Sequence, residues 1–238
     1  MWQSKHIYTI DWNKFPCFSA FYVGYPYCPP SSAMLYLAPW SEKGAFFMAQ
    51  DTSHMQNPFI VGERIYLRPL EPAQDNHLYS TWMNDEEIRR YFSIYPTSDT
   101  RGKERLELLY KDGKHIIFGV ALNENNRLIG LVGLNDINYI NQSAEFYIII
   151  GDRSAWGKGY GTEATKLMLR YGFMELNLNR IQSHAMEDNV GGWRADEKAG
   201  FKYEGTLREA VQRFGKYNDV RVSSLLRSEY LQNTHTDK

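Results

Sequence analysis

The stretch Ala155-Trp156-Gly157-Lys158-Gly159-Tyr160-Gly161-Thr162-Glu163-Ala164 decides the fold. Its three alternating glycines strip side chains from a turn just before an amphipathic helix, so several backbone N–H groups can converge on one anion at the helix N-terminus. Upstream, Glu145-Phe146-Tyr147-Ile148-Ile149-Ile150 is a β-rich apolar run of buried-strand length that ends at Gly151-Asp152. Downstream, Ala164, Leu167, Met168 and Tyr171 recur at i, i+3, i+4 and i+7, the spacing of one helical face. Strand, glycine loop and helix stand in the order of a pyrophosphate cradle.

Spacing removes two familiar phosphate motifs. A P-loop needs a glycine five places before its Gly-Lys pair and Ser or Thr after it, but Asp152 and Gly159 occupy those places. Gly157, Gly159 and Gly161 run G-x-G-x-G, which is not the G-x-G-x-x-G of dinucleotide folds.

The stretch from Ala144-Glu145-Phe146 through Gly161-Thr162-Glu163-Ala164 resembles motif A of the GNAT superfamily of N-acetyltransferases, in particular its ribosomal-protein and polyamine branch. Asn189, followed by Glu197-Lys198-Ala199-Gly200-Phe201 and Glu204-Gly205, resembles that branch's Asn…EKxGFxxEG segment. Gly215-Lys216-Tyr217-Asn218-Asp219 resembles its late Gly-x-Tyr-x-Asp hairpin. The resemblance spans about Gly62 to Leu231 and implies an α/β (α+β) chain of GNAT fold, with a mixed, mostly antiparallel central sheet flanked by helices. It implies acetyl-CoA as donor, held by Ile148, Ile149, Ile150, Trp156, Gly157, Lys158, Gly159, Tyr160, Gly161, Thr162 and Asn189.

Composition agrees. A chain of 238 residues, 43% hydrophobic and 15% aromatic, can bury one good core, and a formal net charge of -1 gives no pull toward nucleic acid or an anionic membrane. Cys17 and Cys28 are too few for a disulfide scaffold and too far apart for a C-x-x-C pair, which makes a reduced cytoplasm the expected location. The six histidines are scattered, with no zinc spacing, so no metal is expected.

Residues 1–60 read as an aromatic N-terminal extension before a domain over 61–232 and a tail over 233–238. No charge occurs between Lys14 and Glu42, yet Pro16, Pro26, Pro29, Pro30 and Pro39 break any membrane-spanning helix. The extension is an arm packed on the domain or on a second subunit, a poorly ordered tail, or a product of an upstream start, with Met48 and Met55 as later starts. On the last reading, residues before Met55 are dispensable for catalysis.

Within the domain, strands are expected at Ile65 and Leu67, at 116–122 and 128–134, at 180–184, and near 201–207 and 220–226. Asn123 to Asn126 form a turn. A helix begins at Pro72 with Leu78 and Trp82 on one face, and Asn84-Asp85-Glu86-Glu87 caps another that carries Ile88, Tyr91 and Phe92.

Acetyl transfer from a thioester needs a neutral amine, whereas an alkylammonium has a pKa of roughly 10.4. Glu145, at the start of the strand that leads to the loop, is the candidate base; the alternative is a solvated glutamate at a strand edge. Where many relatives place a tyrosine, seven residues after Asn189, this chain has Asp196, expected to face the surface or serve structure while solvent protonates the thiolate. Trp193 and Arg194 either approach the coenzyme or pack on the surface, and His184 is read as a structural histidine. The resemblance implies that Tyr139-Ile140-Asn141 borders the acceptor pocket. The expected activity is N-acetyltransfer to a primary amine, either a small amine such as a polyamine or amino sugar or a protein N-terminus. The alternative is a non-catalytic acetyl-CoA-binding or sensing module. Members of the family often dimerise, so the resemblance admits a homodimer and leaves the oligomeric state open.

Overall fold

The computed structural model describes residues 52–92, 95–111 and 113–236. Most of the aromatic extension, with both cysteines and Met48, lies outside the described residues.

Eight strands form one sheet in the order β1-β2-β3-β4-β5-β6-β8-β7. They are β1 (Ile60–Val61), β2 (Ile65–Arg68), β3 (Ile116–Leu122), β4 (Leu128–Asn138), β5 (Ser143–Ile150), β6 (Arg180–Met186), β7 (Lys202–Arg213) and β8 (Lys216–Leu226). Every neighbouring pair is antiparallel except β5 and β6. That parallel pair requires a crossover, and α4 (Tyr160–Met174) supplies it.

Alternation along the strands sends two apolar sets to opposite faces. Phe118, Val120, Val132, Leu134, Phe146 and Ile181 meet Ala164, Met168, Leu169 and Phe173 of α4 on one face. Tyr66, Ile117, Leu131 and Ile149 meet Trp82 and Met83 of α1 (Pro72–Asn84), Ile88 of α2 (Glu86–Arg89) and Leu106 and Leu109 of α3 (Asp99–Leu109) on the other. Pro72 stands in the first turn of α1, where its missing N–H has no partner to lose. Asp85 caps α2 by accepting from the N–H groups of Glu87 and Ile88.

The structure departs from the sequence reading in several places. The helix α2 ends at Arg89, so it carries Ile88 but not Tyr91 or Phe92. Leu78 is exposed while Trp82 is buried, so the shared face of α1 reaches the core only at Trp82. The helix α3, and α6 (Arg227–Thr236), which runs into the expected tail, carry too little apolar periodicity to be read. Finally, Asp196, on α5 (Val190–Ala199), does not face the surface. It is 4% exposed and accepts a 2.7 Å hydrogen bond from Ser183 Oγ of β6, which ties α5 to the sheet.

Candidate active site

Parallel pairing of β5 with β6 runs from Ser143 opposite Arg180 to Phe146 opposite Ser183 and stops there. Beyond that point β5 continues to Ile150 beside β4, and β6 continues to Met186 beside β8. The two strands therefore diverge, and the edge of β5 over residues 147–150 has no strand partner on the β6 side among the described residues. Backbone amide groups along such an edge are free to bond an extended chain that lies between the strands.

At the far end of β5 the glycine loop closes onto the helix. Arg153, Ser154 and Ala155 form a short 3-10 turn, and the indole N–H of Trp156 donates to the Ile150 carbonyl at 2.7 Å. That bond fixes the loop to the strand and occupies the Ile150 carbonyl. Gly157 and Gly159 have φ of 71° and 83°, values that glycine adopts at little cost. Gly159 is the N-cap of α4 and provides no side-chain cap, so the first N–H groups of the helix are left for a ligand.

Arg64, which sequence reasoning did not single out, braces this turn from the residue just ahead of β2. Its Nη1 donates to the Lys158 carbonyl at 2.9 Å and its Nε to Glu163 Oε2 at 2.9 Å, while the guanidinium stacks over Tyr160 at 4.9 Å. The Glu163 carboxylate also accepts from the Arg64 backbone N–H at 2.8 Å. An acidic group in the first turn of α4 is thereby neutralised instead of opposing a phosphate. The Lys158 side chain is exposed beside the loop.

Asn189 caps α5, its Oδ1 accepting from the Gly192 N–H at 3.2 Å. A Cβ at Gly192 would fall 2.6 Å from Asn189 Nδ2, so this close approach explains a glycine at a helix start. Trp193 donates its indole N–H to the Glu187 carbonyl and lies under the Arg221 guanidinium at 4.4 Å. Trp193 thus takes the surface-packing alternative, and Arg194 stacks over its ring at 5.5 Å. Tyr139 and Ile140 are exposed at the β4–β5 hairpin, with the Tyr139 hydroxyl donating to the Gly113 carbonyl.

Near the point of divergence the sheet carries a polar row on the face toward α1. Glu145 lies opposite Gln182 of β6 and Asn135 of β4, and its Oε1 is 2.9 Å from Nδ1 of His184. Both side chains of this pair are about one-third exposed, at 34% for Glu145 and 29% for His184. No sequence spacing announces the pair, because the residues are 39 positions apart. On the opposite face of the same register, burial pushes the Asp196 carboxyl up to about 6, against the lowering effect of the Ser183 hydroxyl.

A parted parallel strand pair, a glycine loop opening a helix at one end and a carboxylate–imidazole pair near the apex form a slot suited to an extended, phosphate-bearing donor. Residues 64–202 match the family model described as acetyltransferase (GNAT) domain, and the chain belongs to this family. It is 33% identical over 172 residues to an uncharacterized N-acetyltransferase of Bacillus licheniformis, spanning 71% of this chain and 96% of that protein. It is 34% identical over 176 residues to spermidine N(1)-acetyltransferase of Vibrio cholerae, spanning 72% and 98%. The crystal structure of the spermidine N-acetyltransferase from Vibrio cholerae in complex with CoA and spermine superposes with a TM-score of 0.66 at 34% identity, covering 71% of this chain and 99% of that one. The chain is therefore an acetyl-CoA-dependent N-acetyltransferase, and the non-catalytic alternative finds no support. Among the described residues no helix is long and apolar enough to cross a membrane.

Proposed function

We propose that this enzyme transfers the acetyl group of acetyl-CoA directly to the primary amine of a small molecule, with a polyamine as the first candidate. The divergence of β5 from β6 beyond Phe146 and Ser183 carries this reading. It leaves a slot with the glycine loop at one end and Glu145 near the other, so a donor bound by its pyrophosphate and threaded along β5 brings its thioester toward the carboxylate.

In this reading the backbone N–H groups of residues 157–162 hold the pyrophosphate, and Lys158 adds positive charge beside it. The exposed edge at residues 147–149 bonds the amides of the threaded arm, Ile150 contributes its side chain, and Asn189 offers the amide nitrogen its cap leaves over. Glu145 supplies negative charge near the apex, where it attracts the incoming ammonium. Solvent returns a proton to the departing thiolate, since Asp196 is enclosed between α5 and β6.

Beyond Met186 a hollow of about 320 Å³ is bordered by Glu86, Arg90, Asp188, Arg213 and Lys216. Its two carboxylates suit a second ammonium on the acceptor, and the relative from Vibrio cholerae named for spermidine supports the same class. The three cations in the same wall oppose it, so a useful acceptor panel contains amines with and without a second charge: spermidine, an amino sugar and a peptide with a free N-terminus. Thiol release from acetyl-CoA is expected to be fastest with the polyamine. A preference for the peptide, with spermidine inert, would move the acceptor to protein N-termini.

A further inference from the structure

We propose that His184 is the proton acceptor of the acetyl-transfer step and that Glu145 is its positioning residue. The inference rests on the acetyltransfer reading and names the atom that takes the proton.

The hydrogen bond between the two side chains decides the tautomer. An ionised carboxylate only accepts, so the 2.9 Å contact requires Nδ1 of His184 to carry the hydrogen. In a neutral imidazole the other nitrogen, Nε2, then holds the lone pair. Glu145 thus fixes Nε2 as the acceptor atom of His184.

Position supports the role. His184 is the first residue of β6 beyond the last pair with β5, so it stands where the slot opens. Glu145 is one register step inside the closed part of the sheet, opposite Gln182.

Few other ionisable groups share that face. Beside His184, β6 presents Gln182 and Met186, and β8 presents Val220, Val222 and Ser224 opposite them; further along the same face Arg180 of β6 pairs with Glu204 of β7, and both bond Ser224. Tyr147 of β5 is partly buried, and desolvation raises its phenol far above the usual range. From before β3, His115 reaches Asn135, the β4 partner of Glu145, at 3.0 Å. From α2, Glu86 and Arg90 border the hollow beyond Met186. Arg221 pairs with Ala185 and therefore lies on the opposite face, against Trp193 and Tyr203.

The bound ammonium first loses one proton to solvent; in the transfer the neutral amine nitrogen then forms a bond to the acetyl carbon and the carbon–sulfur bond breaks. The excess proton on nitrogen passes to Nε2 of His184, and the thiolate takes a proton from solvent. His184 then releases its proton to solvent for the next turnover.

The test is the pH profile of kcat/KM for the best amine of the panel, in the wild type and in His184→Gln and Glu145→Gln. His184→Gln is expected to lower kcat/KM by about 100-fold or more and to remove the acid limb. Its acetyl-CoA affinity, read by calorimetry, should stay within about threefold, showing that the fold and the donor slot survive. Glu145→Gln is expected to cost about tenfold and to keep an acid limb, because the base remains but is less well held. A full rate in His184→Gln, or an acid limb lost in Glu145→Gln and kept in His184→Gln, overturns the assignment. If His184→Gln fails to bind acetyl-CoA, His184→Asn is read by the same criteria. A wild type that releases no thiol with any amine instead overturns the acetyltransfer reading itself.

Discussion

Asp196 is a carboxylate in a position where burial works against its charge, and its energetics can be stated with a sign. Its pKa is raised to about 6 in the folded chain, chiefly by burial, whereas an unfolded aspartate titrates near ~3.9. The folded state therefore binds the proton more tightly. Its contribution to stability is fully present below about pH 4 and is lost as pH rises through about 6, a change of order 3 kcal/mol. Asp196→Asn keeps the partner for Ser183 Oγ without the charge. We expect it to raise Tm by about 6–12 °C at pH 8 and to leave Tm nearly unchanged at pH 4. Acetyl transfer should be kept, since Asp196 is enclosed between α5 and β6. Equal destabilisation at both pH values, or lost activity in a folded variant, would show that the carboxylate does more than link α5 to β6. From sequence, an aspartate between Ala195 and Glu197 reads as part of a polar helix face. Only the fold shows that this position points at Ser183, because the contact joins elements 13 residues apart. The same limit hid the Glu145–His184 pair. The glycine loop was legible because strand, loop and helix are contiguous.

At the scale of elements, periodicity located most strands and α4, but not the helices whose apolar content is sparse. In α3 only Gly102, Leu106 and Leu109 are buried, and a glycine in mid-helix reads as a breaker. Its reason is contact: a Cβ at Gly102 would fall 2.6 Å from Ser80 Oγ on α1. The same device seats α1 on the sheet, where a Cβ at Gly151 would come 2.1 Å from the Trp82 ring. Gly151→Ala should therefore destabilise the chain by about 1–3 kcal/mol through overpacking, measured by urea unfolding. An unchanged midpoint would mean that α1 can shift at no cost. The loop between β5 and α4 depends on the residue just ahead of β2 in a different way. Arg64→Ala removes the donor to the Lys158 carbonyl and the partner of Glu163, exposing a carboxylate beside the phosphate site. We expect the Kd for acetyl-CoA to rise about tenfold, with a smaller effect at high salt as the freed charge is screened. A Kd that stays put would place the brace outside the binding energetics.

At the scale of the whole chain, the described domain begins to take shape before its first strand. Met55 packs against the core on the α1 face, and the Gln56 N–H donates to the Tyr66 hydroxyl at 3.2 Å. Ahead of them, the His54 carbonyl accepts from Asn126 Nδ2 at 2.7 Å, and His54 Nε2 meets the Asn123 carbonyl at 2.9 Å, both at the β3–β4 turn. A chain that starts at Met55 keeps the core and the slot between β5 and β6 but gives up the His54 contacts, which are exposed. Exposed hydrogen bonds of this kind contribute about 1 kcal/mol or less, so Tm should fall by about 2–4 °C. Acetyl-CoA binding and amine-dependent thiol release should persist, because no group assigned to the donor slot or to the Glu145–His184 pair precedes Met55. Starting at Met48 restores His54 and should recover the lost degrees. If the shorter chain folds and binds acetyl-CoA but no longer turns over an amine that the full chain acetylates, the first 54 residues take part in acceptor binding. A purified chain from Met55 that fails to bind acetyl-CoA would overturn their dispensability outright.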